Sequence, residues 1–138
     1  MAHVRREIIL SLTILTIGCA SSAPKSISTL PPNVMIFHQP YERVWKTVTE
    51  TLTLKHLYAL EVNLPQQGTF STQLMREQSN SGPTRSRISG TVHPGPEGIV
   101  VTLYNQQEIF ENGKWHAVQS SYLIEKNLLS EIKSTLQQ

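Results

Sequence analysis

The sequence predicts an α+β fold, with an antiparallel sheet of about five strands and two helices packed on one face, in the order α-β-β-β-β-β-α. Three observations carry this. Apolar residues recur at helical spacing just after Pro40 and again near the end of the chain. Between those stretches, β-rich runs follow one another through turn-sized connections. Such connections join antiparallel neighbours, whereas parallel strands need crossovers of about a dozen residues or more.

The first helix opens at Gln39-Pro40, since proline suits the first helical position. Glu42 lies in its first turn, where a negative charge complements the helix dipole. Tyr41, Val44, Trp45, Val48 and Leu52 form its apolar stripe, with Arg43, Lys46, Thr47 and Glu50 mainly on the other side. The pattern ends near Lys55-His56. Leu57 to Leu64 reads as extended, and Asn63 to Gly68 as a loop. Thr69 to Arg76 then alternates as one strand, with Phe70, Thr72 and Leu74 on one face and Ser71, Gln73 and Met75 on the other. Gln78 to Pro83 is a polar loop, and Thr84 to His93 is the next strand. His93-Pro94-Gly95-Pro96-Glu97-Gly98 is a turn. Ile99 to Phe110 is the longest strand, rich in β-branched residues. Asn112-Gly113 is a strong hairpin signal, and Trp115 to Gln119 is the return strand. Ser121 fits the N-cap of a second helix whose stripe is Leu128, Leu129, Ile132 and Leu136. No internal repeat is visible.

Ahead of this domain stands a different kind of segment. Arg5 and Arg6 precede an uncharged apolar run from Ile8 to Ile17, then Gly18, then Cys19, the single cysteine. A basic start, a short apolar run and a small residue make a secretory signal. The run is too short to span a bilayer, which takes about 20 residues. With Cys19 behind it, Leu15-Thr16-Ile17-Gly18-Cys19 resembles the lipobox of bacterial lipoproteins. The alternatives are an ordinary secretory signal with an incidental cysteine, or an uncleaved anchor. Thr16 stands where that family usually has leucine. Arg5-Arg6 also resembles a twin-arginine signal without its flanking residues, so the general secretory route is the expectation.

The lipoprotein resemblance implies cleavage before Cys19, diacylglycerol on its thiol and acylation of its amine. At about 0.8 kcal/mol per buried methylene, two or three chains anchor a protein stably. Residues 1–18 are then a signal peptide. Residues 19–36 are the lipidated cysteine and a Ser/Pro-rich flexible tether, and residues 37–138 are one periplasmic domain. Ala20 stands where enteric lipoproteins retained in the inner membrane carry aspartate, and the chain has no aspartate. By resemblance this points to the outer membrane, periplasmic side, of a Gram-negative cell.

Composition narrows the function further. Without Arg5, Arg6 and Glu7, ten basic and nine acidic side chains remain. That near-neutral balance excludes nucleic-acid binding through overall charge. A lipidated Cys19 leaves no thiol for a disulfide or for catalysis. His38, His56, His93 and His116 are far apart in sequence, so a metal site needs them to converge in space, and no metal or cofactor is expected. No Gly-x-Ser-x-Gly elbow or phosphate-binding glycine loop is present, and enzyme activity is not expected.

Arg76, Arg85 and Arg87 are the candidate binding charges. Arg85 and Arg87 lie two apart and share a strand face, with Arg76 placed on a neighbouring strand. They suit acidic lipid headgroups, a peptidoglycan carboxylate or a protein partner. The plain alternative is a solvated sheet face paired with Glu77 or Glu108. Trp45 reads as core. Trp115 reads as cover for a sheet edge or for the space between helix and sheet, and as a contact residue if exposed.

Pro40-Tyr41-Glu42-Arg43-Val44-Trp45, Gly68-Thr69-Phe70-Ser71-Thr72, an arginine-bearing strand and a final amphipathic helix follow one order from Phe37 to Leu136. That order resembles the helix-grip domains of small envelope lipoproteins, such as the C-component lipoprotein of the outer-membrane β-barrel assembly machine. This chain has room for one such domain, where that lipoprotein carries two. The resemblance implies a non-enzymatic structural or assembly accessory, held at the membrane by lipid on Cys19 and binding another envelope protein. A module holding lipid or another apolar ligand near Trp45, Phe70 and Leu103, and a secretion-system pilotin, are the alternatives.

Overall fold

The computed structural model describes residues 29–138. Cys19, the signal segment and most of the tether lie outside the described residues. The order is β1 (Val34–Phe37), α1 (Tyr41–Glu50), β2 (Leu60–Leu64), β3 (Thr69–Thr72), β4 (Met75–Ser79), β5 (Gly82–Gly95), β6 (Gly98–Glu111), β7 (Lys114–Val118) and α2 (Leu123–Leu136). The class is α+β, with an antiparallel sheet and two helices.

Three expectations are corrected. The sheet has seven strands, not five. The first element is a strand rather than a helix: β1 takes its first three residues from 19–36, read above as tether, and pairs with β6 from Val34↔Thr102 to Phe37↔Ile99. Pro31-Pro32 marks the end of the tether, and the apolar run behind it fills a free edge that only the folded sheet supplies. Third, Thr69 to Arg76 is not one strand. It breaks at Gln73-Leu74 into β3 and β4. The break reverses the alternation, so that Met75 packs against the core and Leu74 turns outward.

The β5–β6 hairpin organises everything else. Each strand has 14 residues, paired from Thr84↔Ile109 to Gly95↔Gly98. At about 3.3 Å per residue such a strand runs ~46 Å. Helix α2, also 14 residues, spans only ~21 Å at 1.5 Å per residue. The helices therefore cover one half of the ribbon. In that half β3 flanks β5, β2 lies beyond β3, and β1 flanks β6. In the distal half the flanking strands are β4 and β7.

Each flank changes strand midway, and there the ladder would leave buried backbone groups unpaired. Side chains replace it. On the β5 side the Thr72 hydroxyl accepts from the Ile88 N–H and donates to the Gln73 carbonyl, both at 3.1 Å. On the β6 side the Asn33 carbonyl accepts from the Leu103 N–H at 2.9 Å, and its side-chain amide donates to the Leu103 carbonyl at 3.0 Å. One residue pair further on, Glu125 Oε1 accepts from the Asn105 N–H at 2.9 Å. Asn33, Thr72 and Glu125 are buried polar residues because each does what a missing strand would do.

The core lies between the near half of the ribbon and the helices. Phe37, Phe70, Ile88, Val92, Val101 and Leu103 come from the sheet. Val44, Trp45, Val48 and Leu52, then Leu128, Leu129, Ile132 and Leu136, come from the two predicted stripes. Trp45 meets Phe70 edge-on at 6.0 Å. Gly90 makes room for this: a Cβ there would lie 2.5 Å from the Phe70 ring and 2.4 Å from the Thr102 carbonyl oxygen. Helix α1 runs on as a π-helical turn over Thr51–Lys55, then ends at Leu57, which has φ 57°. Asn112 and Gly113, at φ 51° and 78°, make the expected hairpin turn. The residue before α2 is Tyr122, not Ser121, in the left-handed region at φ 60°. Ser120, rather than Ser121, stabilises that start: its hydroxyl accepts from the Tyr122 N–H at 3.0 Å and donates to Glu125 Oε1 at 2.8 Å.

Two substitutions test this account. Thr72→Val keeps the shape but removes the Ile88 N–H acceptor, and should destabilise by about 1–3 kcal/mol in urea unfolding, with Thr72→Ser losing less. Gly90→Ala should cost about 1–3 kcal/mol by overpacking against Phe70. Unchanged midpoints would contradict both assignments.

Candidate binding face of the distal half-sheet

The β pleat sends alternate side chains to opposite faces. Ile88 and Val92 face the helices, so Arg85 and Arg87 face away from them. Register then assembles a row across four strands: Arg76 opposite Arg85, Arg85 opposite Glu108, and Glu108 opposite Ala117. Arg87 stands opposite Gln106, and Phe110 opposite Trp115.

Arg85 and Arg87 share a face, as their spacing of two predicted, register brings Arg76 beside Arg85, and the three are held differently. Arg85 Nε donates to the Glu108 carboxylate, and its guanidinium lies over the Trp115 ring, 4.3 Å from the centroid. Trp115 rests against Phe110 at 5.1 Å. Trp115 is half-buried on the helix-free face, so it supports Arg85 instead of closing the space between helix and sheet. Arg87 Nη2 lies 2.8 Å from Glu61 Oε2, at the irregularity between Leu60 and Val62 in β2. Its Nε is buried without a hydrogen-bond partner. Arg76 is exposed and has no ion pair among the described residues. Like charges directly opposite disfavour pairing, and Glu108 offsets the Arg76–Arg85 juxtaposition. Glu77 pairs across from Thr84, on the other face, and is no partner for these arginines.

The Arg85 hydrogen bond holds the Glu108 carboxyl below the usual carboxylate range, with the guanidinium charge adding to it against a smaller cost of desolvation. A separate cluster behaves alike. His56 lies 2.7 Å from Glu131, and that hydrogen bond, with the nearby His56 and Lys55 charges, lowers the Glu131 carboxyl against desolvation.

A cleft of about 560 Å³ lies on the helix-free face. Arg85, Arg87, Gln106 and Glu108 line its floor, with Leu74 at one end and Ala117 and Val118 at the other. Leu74 reaches it only because the β3–β4 break turns that residue outward. The sequence singled out Arg85, Arg87 and Trp115 but missed Glu61, Leu74 and Gln106. Glu61 is remote in sequence, Leu74 depended on the break, and a lone glutamine carries no signal. Arg76 belongs to the row but does not line the cleft.

The cleft offers fixed hydrogen-bond donors and acceptors with apolar ends, which suits binding. Among the described residues no three His, Cys, Asp or Glu side chains converge as metal ligands. Among them, too, no helix is long and apolar enough to cross a membrane. No protein-family model matches the chain, and a search of curated proteins gives no match.

The ion pair has a measurable signature. Because Glu108 is depressed in the folded state, its contribution to stability is present above the unfolded carboxyl value near ~4.3 and is lost as pH falls through the folded value. Arg85→Gln should return Glu108 to the ordinary range in a carboxyl NMR titration. An unshifted Glu108 titration in that variant would contradict the pairing.

Proposed function

We propose that this protein is a membrane-anchored bacterial lipoprotein, lipidated on Cys19. It serves as a non-enzymatic structural or assembly accessory on the periplasmic side of the outer membrane. The signal-like segment, Gly18-Cys19 and Ala20 support the anchoring and its location. The helix-on-sheet layering is consistent with a helix-grip-like domain. The accessory role acts through binding to another envelope protein.

The observation that carries the binding role is the distal half-sheet. Its outward face holds Arg85 in place on Trp115 and Glu108, and its flanking strands β4 and β7 leave exposed edges. A rigid aromatic–arginine pair is the kind of anchor that protein interfaces favour. Edge strands add the option of strand addition by a partner. The alternative of an apolar-ligand module draws less support. Trp45, Phe70 and Leu103, the residues expected to line its cavity, are 8%, 2% and 0% exposed and belong to one packed core.

Photo-crosslinking in cells tests the proposal. A photoreactive residue at Arg76 or Ala117 should give an adduct with one envelope protein, and Cys19→Ala should reduce that adduct at least tenfold. A probe at Lys126, exposed on α2, should give none. Adducts from the helix side alone, or from no position, would overturn it.

A further inference from the structure

The charges around the cleft define what can enter it. Arg85 is matched by Glu108 and Arg87 by Glu61, so an anion entering the cleft meets no unpaired cation in its lining. Arg76, the one arginine of the row without an ion pair among the described residues, lies outside the lining. A phosphate or an acidic headgroup would have to displace Glu108 from a hydrogen bond or Glu61 from a 2.8 Å contact. Gln106 offers both a donor and an acceptor, which fits a peptide group better than an anion. Leu74, 38% exposed, and Ala117, opposite Glu108, give apolar surface at the two ends. The row spans four strands, about 15 Å at ~4.8 Å per strand, which is the length of about four extended residues.

We infer that the cleft binds an extended, uncharged or charge-balanced segment of a partner protein. That segment lies across β4 to β7, with apolar side chains at Leu74 and Ala117 and its backbone toward Gln106 and the paired arginines. This rests on the protein-binding reading above and names the chemistry of the segment recognised. Ala117 sits beside Glu108 on the outermost strand, where a larger side chain fills the cleft without entering the core.

The test uses a random heptapeptide library displayed on phage, panned on the full lipidated chain in detergent. Enriched peptides should carry no net charge and two apolar residues about three positions apart. As synthetic acetylated amides they should alter Trp115 fluorescence, measured beside a Trp115→Phe control. They should bind at least tenfold more weakly to both Ala117→Arg and Gln106→Ala, with each variant's fold checked by circular dichroism. Their affinity should change by less than threefold between 50 and 300 mM salt. Enrichment of acidic peptides with steep salt dependence, equal binding to Ala117→Arg, or no enrichment would overturn the inference. If the in-cell adduct at Ala117 persists in any of those cases, the protein-binding role stands and only the segment's chemistry is wrong. If the adduct is absent as well, both fall.

Discussion

A β5–β6 ribbon of ~46 Å cannot be covered by helices of ~21 Å, and the rest of the structure follows from that mismatch. One half of the ribbon has a helical layer and becomes the hydrophobic core. The other half has none and stays a four-stranded sheet with polar side chains on its outward face. Residues that stabilise the fold and residues available for binding are therefore separated along the same two strands. Ile88 and Leu103 mark the last core positions, and Arg87 and Gln106 begin the binding face.

The junction between the halves is where polar burial concentrates. Thr72 and Asn33 pair backbone groups of the ribbon that no strand reaches, and Glu125 does the same from α2. Glu125 also ties the start of α2 to Ser120, so one carboxylate sets both the ribbon edge and the position of the closing helix. Its second oxygen is buried without a partner. Leaving a buried acceptor unpaired is costly, and the two bonds made by Oε1 offset that cost. Removing any of these residues acts on the seam that positions the distal half, and only secondarily on the core.

Periodic features of the chain were legible in the sequence. Both helical stripes are buried residue for residue from Val44 to Leu52 and from Leu128 to Leu136. The ribbon, the Asn112-Gly113 turn that joins β6 to β7, and the shared face of Arg85 and Arg87 also followed from local pattern. What was not legible depends on contacts between distant segments. Val34–Phe37 becomes a strand only because β6 leaves an edge beside it. The break at Gln73-Leu74 is set by where β3 and β4 meet β5, and alternation alone ran straight through it. Glu61 meets Arg87 from 26 positions away along the chain, and nothing in either neighbourhood announces the pair.

The separation of a core half from a binding half is tested most directly by hydrogen–deuterium exchange on the lipidated chain, in its own membranes and after purification in detergent. In membranes, amides of residues 82–87 and 105–118 should gain protection, while α1 and α2 exchange equally in both settings. Protection gained on the helices, or a distal half unchanged between the two, would contradict the account.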